Sequence, residues 1–133
     1  MDWAQSIGIC NKLGNGSLAE LKSLTDMELT LSLFKNMRSL CQNIWTPLTD
    51  EEVEGHFKNA ITGDLVAFLP WWDNNPNGLH DENYVLLSMT EKAYFDVVQR
   101  TKWPSCAVCD INIKTQFSLI GVCKDTYFGK YLS

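Results

Sequence analysis

Apolar residues recur at spacings of three and four along the first third of the chain. Leu21, Leu24, Met27, Leu31, Phe34, Met37, Leu40, Cys41 and Ile44 form one stripe, and that period predicts helix from Leu18 to Trp45. Gly14, Asn15 and Gly16 break whatever precedes it, and Ser17 with Glu20 fits a capping box. Thr25 and Asp26 resemble a second cap, so a short helix followed by a long one is expected. Leu29 and Leu33 lie off the stripe, which predicts a long helix buried on more than one side. Trp45-Thr46-Pro47 ends it, because a residue before proline avoids the helical region. Thr49 with Glu52 predicts a further helix over TDEEVEGHFKNAI, its acids gathered in the first turn. His56 falls beside the apolar face of that segment and reads as a packing residue.

Further on, the period shortens. LVAFL and YVLLSM read as strands. TEKAYFDVVQRT reads as a helix capped by Thr90, with Ala93, Tyr94, Val97 and Val98 inward. CAVCDINIK and FSLIGVC alternate, which predicts an antiparallel hairpin turning near Lys114-Thr115-Gln116. The stretch from Asp2 to Cys10 fits a short helix or an extended arm equally well. The tail KDTYFGKYLS packs through Tyr127, Phe128 and Tyr131. The expected fold class is α+β: one long N-terminal helical region packed on a small, mostly antiparallel sheet that ends in a C-terminal hairpin. At 133 residues a single globular domain, 1–133, is expected.

Composition adds limits on function. The chain is 45% hydrophobic and 20% charged, which fits a globular protein, and its tryptophans, phenylalanines and tyrosines can fill a core. A net charge of −5 argues against duplex nucleic acid and against an anionic membrane as partner. It suits a protein partner with a basic surface. MDWAQSIGIC has no basic segment ahead of an apolar one, so no signal peptide is expected. Cytoplasmic location follows as the expectation, with the five cysteines as free thiols.

The loop PWWDNNPNGLHDEN, residues 70–83, is the likeliest contact surface on these grounds, since long irregular loops in compact domains are often functional. Trp71 and Trp72 are adjacent, so extended backbone turns them to opposite sides. One of them would anchor a partner, while Asp73, Asp81 and Glu82, with Asp50, Glu51 and Glu54, would steer it. The alternative is that both rings cover the core edge. A carbohydrate or nucleotide platform is open on chemical grounds, because aromatic faces stack on rings.

One stretch carries possible catalytic chemistry. His80-Asp81-Glu82 is an H-x-E, and Pro104-Ser105-Cys106-Ala107-Val108-Cys109 follows it. The pair resembles the signature of zinc-dependent nucleobase deaminases. That resemblance implies His80, Cys106 and Cys109 as ligands and Glu82 as the proton shuttle. Ser105 interrupts the proline-cysteine step, and the resemblance covers about 30 residues. A structural zinc site built from Cys106, Cys109 and Cys123 with His80 or Cys41 is a further option. Periodicity favours neither. Ala107, Cys109, Ile111 and Ile113 share one face and Asp110, Asn112 and Lys114 the other, so Cys106 and Cys109 point apart. The reading is therefore a small acidic intracellular binding protein of the inhibitor, immunity or virus-encoded or bacterial antagonist kind. It acts by surface occlusion of a macromolecular partner, with no catalytic residue, metal or cofactor. The alternative is a zinc-dependent hydrolase of the deaminase type.

Overall fold

The computed structural model describes residues 1–14, 16–77, 81–113 and 116–132. Asp2 opens the first element. Its carboxylate accepts the Gln5 N–H at 2.8 Å, and the Gln5 side chain accepts the Asp2 N–H at 2.8 Å. This capping box starts α1 (Trp3–Lys12), which buries Trp3, Ser6 and Cys10 at spacings of three and four. A two-residue β1 (Ser17–Leu18) follows. Ser23 then caps α2 (Leu24–Leu33) by accepting the Asp26 N–H at 3.1 Å. A 3-10 turn, Lys35–Ser39, leads to β2 (Asn43–Thr49) and β3 (Lys58–Asn59). The remaining strands are β4 (Tyr84–Ser88), β5 (Ala93–Val97), β6 (Ser105–Ile113), β7 (Gln116–Cys123) and β8 (Thr126–Leu132).

The strands form one sheet in the order β5-β4-β2-β6-β7-β8, with β1 added to β6 and β3 to β2. β2 and β6 run parallel, with Asn43 opposite Ser105, and the other pairings between these named strands are antiparallel. The fold is therefore sheet-rich with two ten-residue helices, which corrects the expected long helical region packed on a small sheet. The apolar stripe is real but is shared among unlike elements. Met27 comes from α2, Met37 from the 3-10 turn and Ile44 from β2, and all three enter one cluster. Leu24 and Leu40, also on the stripe, are 54% and 50% exposed. Pairing of Asn43–Trp45 with both β4 and β6 overrides the local helical period.

Two further helices are replaced. The Thr49 hydroxyl donates to the Asn83 carbonyl at 2.7 Å and accepts the Glu51 N–H, while Asp50 accepts the Gly55 N–H at 2.9 Å. These bonds build a turn where a helix cap was expected. Ala93–Val97 pairs with β4 along its whole length and is a strand. LVAFL contributes only an isolated bridge, Leu65 to Lys58. The hairpin of β6 and β7 is present, from Ile113 opposite Gln116 to Ala107 opposite Val122. The residues expected to turn it, Lys114 and Thr115, lie outside the described residues.

The sheet is covered on both faces, so β4 is buried throughout. On one face Trp3 and Cys10 of α1 meet Trp45, Leu86, Ala107 and Cys109. The Trp3 indole donates to the Thr46 carbonyl at 2.9 Å, and the Trp45 indole to the Met1 carbonyl at 3.0 Å. On the other face Met27, Phe34 and Met37 meet Ile44, Val85, Leu87 and Cys106. Gly121 allows that close approach. A Cβ there would overlap the Met37 Sδ and lie 2.9 Å from Phe34 Cδ1.

The cysteines correct the expected compartment. Cys10 is bonded to Cys109, across a sequence separation of 99. Cys106 is within bonding reach of both Cys41 and Cys123. Disulfides persist in oxidising compartments, so the pairing points to an extracellular or secreted protein and overturns the expected cytoplasmic location with free thiols. Among the described residues, no helix is long and apolar enough to cross a membrane.

Candidate functional site

The candidate contact surface is built where the long loop meets the outer edge of the sheet. The Tyr94 N–H donates to the Pro70 carbonyl at 2.7 Å, and the Trp72 N–H donates to the Tyr94 carbonyl at 2.9 Å. These two bonds lay residues 70–72 parallel along β5. Extended backbone then sends the neighbouring tryptophans to opposite sides. Trp71 points inward, with ring centroids 5.0 Å from Phe57 and 6.1 Å from Tyr94. Trp72 points outward, is 38% exposed and stacks on Phe95 at 6.2 Å with planes 27° apart. Phe95 meets Trp103 edge to face at 5.9 Å, and Trp103 is 49% exposed. The result is a ladder of three rings on the solvent side of the sheet edge.

Each rung has a local support. Phe95 sits on β5. Trp103 is held by a turn in which its N–H donates to the Thr101 hydroxyl at 3.3 Å and its carbonyl accepts from the Ser105 hydroxyl at 2.8 Å. The Asn43 amide donates to the Pro104 carbonyl at 3.2 Å, tying that turn to β2. Beyond Trp72, the Asn77 N–H donates to Asp96 Oδ2 at 3.0 Å, and the Asp96 N–H donates to Asn75 Oδ1 at 3.3 Å. The Asn75-Pro76 peptide between them is cis. Asp96 is a buried carboxylate on β5, so these bonds pin the loop to the strand that carries Phe95.

An open groove of about 530 Å³ runs beside the ladder. Phe95 and Trp103 form one wall, and Arg38, Leu40, Cys41 and Glu91 lie among its other lining residues. It therefore combines apolar rings with one cationic and one anionic side chain.

The residues expected from sequence divide. Trp72 and Asp73 are exposed and adjacent to the ladder. Trp71 is a core-edge residue. Asp81 is exposed and Glu82 half-buried where the loop enters β4, and among the described residues no hydrogen bond or ring contact joins them to Trp72. Asp50 is buried against its own turn, and Glu51 accepts the Tyr84 hydroxyl at 3.0 Å, so both serve the fold. Burial, with Glu51 adding to it, raises the Tyr84 pKa against the lowering effect of Gln99. His80 lies outside the described residues. Cys106 and Cys109 face opposite sides of the sheet and have different sulfur partners, so they share no centre of the deaminase kind. Cys41, Cys106 and Cys123 do converge, with their sulfurs within 4.8 Å of one another.

Phe95, Trp103 and the groove escaped the sequence reading. The signal was present in AYFDV, where three of five residues, Tyr94, Phe95 and Val97, favour strands. Trp103 was visible only as part of a breaker, and nothing local places it beside Phe95.

No family model and no curated protein sequence matches the chain. Solved structures do match in shape. Human lithostathine superposes with a TM-score of 0.72 at 20% identity, over 84% of this chain and 85% of that one. The C-type lectin CEL-I from Cucumaria echinata gives 0.66 at 20% identity, over 74% and 76%. Herring type II antifreeze protein gives 0.66 at 16% identity, over 100% and 85%. At these identities the likeness shows the fold alone: the chain has the C-type lectin-like fold.

Proposed function

We propose that this domain binds a protein partner through the ladder of Trp72, Phe95 and Trp103 and the groove beside it. The observation that carries the reading is the exposure of two tryptophans bridged by Phe95, which stacks on Trp72 and meets Trp103 edge to face. Rigid aromatic anchors with little entropy left to lose concentrate binding energy. The partner covers the ladder by surface occlusion, Trp72 acts as the anchor, and Asp73 steers a basic rim toward it. Asp81 and Glu82 extend the acidic margin at the far end of the loop. The net charge of −5 gives the same preference at longer range.

The test is a binding screen of the oxidised domain against arrayed extracellular protein domains and arrayed glycans. Trp72→Ala, Trp103→Ala and the remote control Leu65→Ala run in parallel. A protein ligand whose affinity falls at least about 30-fold in both tryptophan variants, by roughly 2 kcal/mol, and weakens with salt supports the proposal. Folded tryptophan variants that bind as tightly as the control refute it. A glycan is the second reading. It is favoured by the near-parallel Trp72–Phe95 stack, a flat face of the kind sugar rings lie on, and by the lectin CEL-I among the similar folds. Tryptophan-dependent binding confined to the glycan array would select it.

A further inference from the structure

We infer that Cys41, Cys106 and Cys123 form an intramolecular thiol–disulfide exchange site, in which Cys106 pairs alternately with Cys41 and Cys123. The starting point is valence. The chain has five cysteines, and Cys10 and Cys109 are paired on one face of the sheet. The other three meet on the opposite face. Cys106 reaches both neighbours, but a sulfur makes one disulfide at a time. Internal pairing therefore leaves one thiol among these three, and the inference places it on Cys41 or on Cys123.

The backbone accommodates both pairings. The Cα separations are 6.3 Å for Cys41 and Cys106 and 4.7 Å for Cys106 and Cys123, and both lie in the range that disulfides span. Backbone pairing of the strands sets them. Ile44, three residues after Cys41, pairs with Cys106 across β2 and β6. Val122, next to Cys123, pairs with Ala107 across β6 and β7. Cys41 Sγ and Cys123 Sγ lie 3.4 Å apart, so whichever holds the thiol is already beside the bond it would attack. All three side chains are buried, and Cys41 reaches the groove with only 3% of its surface exposed, so outside reagents arrive slowly compared with a neighbouring sulfur.

The step balances without any outside reagent. The Cys41 thiol gives up its proton, and the thiolate pair forms the bond from Cys41 Sγ to Cys106 Sγ. The Cys106–Cys123 bond breaks, its electron pair leaves on Cys123 Sγ, and that sulfur takes up a proton. The reverse step is the same displacement. In-line attack places the two outer sulfurs on opposite sides of Cys106, farther apart than 3.4 Å, so the exchange passes through a side-chain rotation.

The two isomers differ at the groove. Cys41 lines it. In one isomer the wall before β2 is tied covalently to β6, and in the other that wall carries a thiol while the tie moves to β7. The inference stands on the sulfur geometry and does not depend on what the ladder binds.

Mapping the wild-type linkages tests it. Thiols are blocked with N-ethylmaleimide in mildly acidic denaturant, and the unreduced protein is digested with trypsin. Cys41, Cys106 with Cys109, Cys123 and Cys10 fall in separate peptides, 39–58, 103–114, 115–124 and 1–12. The expected products are two complexes. Both contain 103–114 joined to 1–12. One adds 39–58 with a blocked Cys123, the other adds 115–124 with a blocked Cys41. Prolonged blocking of the native protein should then drain the population toward the label on the groove-lining Cys41, with the Cys41–Cys106 linkage disappearing. Finding a single complex, finding Cys106 blocked, or finding a ratio that prolonged native labelling leaves unchanged would overturn the inference.

Discussion

The bond between Cys10 and Cys109 makes the most quantitative demand on the structure. It joins α1 to the central strand β6 and closes a sequence separation of 99. In the chain-entropy description, a cross-link closing a loop of about 100 residues lowers the freedom of the unfolded chain by roughly 4.7 kcal/mol. The Cys10→Ala, Cys109→Ala double variant loses that constraint. It also loses two sulfurs from positions with no exposed surface, which adds a cavity cost. A domain of this kind has about 5–15 kcal/mol in hand, so the variant should forfeit a third of its stability or more. Trp3 and Trp45 are buried in the same cluster, so intrinsic fluorescence reports the transition. With a urea slope near about 2 kcal/mol/M, the midpoint should fall by roughly 2 M. The reference is oxidised wild type, and wild type under strong reductant should fall toward the variant. Cys123→Ala is the contrast, since Cys106 can still close on Cys41, and it should lose much less. A double variant within about 1 kcal/mol of wild type would refute the claim that this bond staples the fold.

Other outcomes follow from single residues. Gly121→Ala places a methyl against Met37 and Phe34 and should cost about 1–3 kcal/mol, measured by denaturation. Met37→Ala in the same chain should return part of that, and no return would sink the steric account. Tyr94 is buried, and its pKa is pushed well above the tyrosine range, chiefly by burial, with Glu20 and then Asp26 adding to it. Above about pH 10 the unfolded tyrosine loses its proton while the folded one keeps it, so the unfolded chain binds fewer protons and stability falls as pH rises. Tyr94→Phe should flatten that alkaline decline in thermal melts. Among the described residues nothing hydrogen-bonds the Tyr94 hydroxyl, so the same variant should be neutral or slightly stabilising at pH 7.

How much of this was legible depends on how local each cause is. β4 was readable as the short apolar run YVLLSM, whose buried side chains go alternately to two faces, Val85 and Leu87 to one and Tyr84 and Leu86 to the other. β6 and β7 were readable from the alternation in CAVCDINIK and FSLIGVC. The opposed orientation of Trp71 and Trp72 was readable from period alone. The region from Leu18 to Trp45 misled because Met27, Phe34, Met37 and Ile44 keep a helical spacing while belonging to a helix, a 3-10 turn and a strand. What decides the strand is contact with Ser105–Ala107 some sixty residues away, which no local window contains. The same distance hid the compartment. Cysteine partners separated by 99 and 65 residues leave no trace in spacing. Trp103 joined the site for a like reason, as its neighbour Phe95 lies across a turn whose path only the sheet defines.

The parallel pairing of β2 with β6 also bears on how the chain assembles. β2 lies centrally in the sheet yet cannot be completed on one side until residues 105–107 arrive. During synthesis the early half therefore waits with one strand edge open, exposed to wrong partners, and distant pairings of this sort slow folding. Expression yield should thus respond more to chaperones and oxidising enzymes acting late in synthesis than to any change confined to the first forty residues.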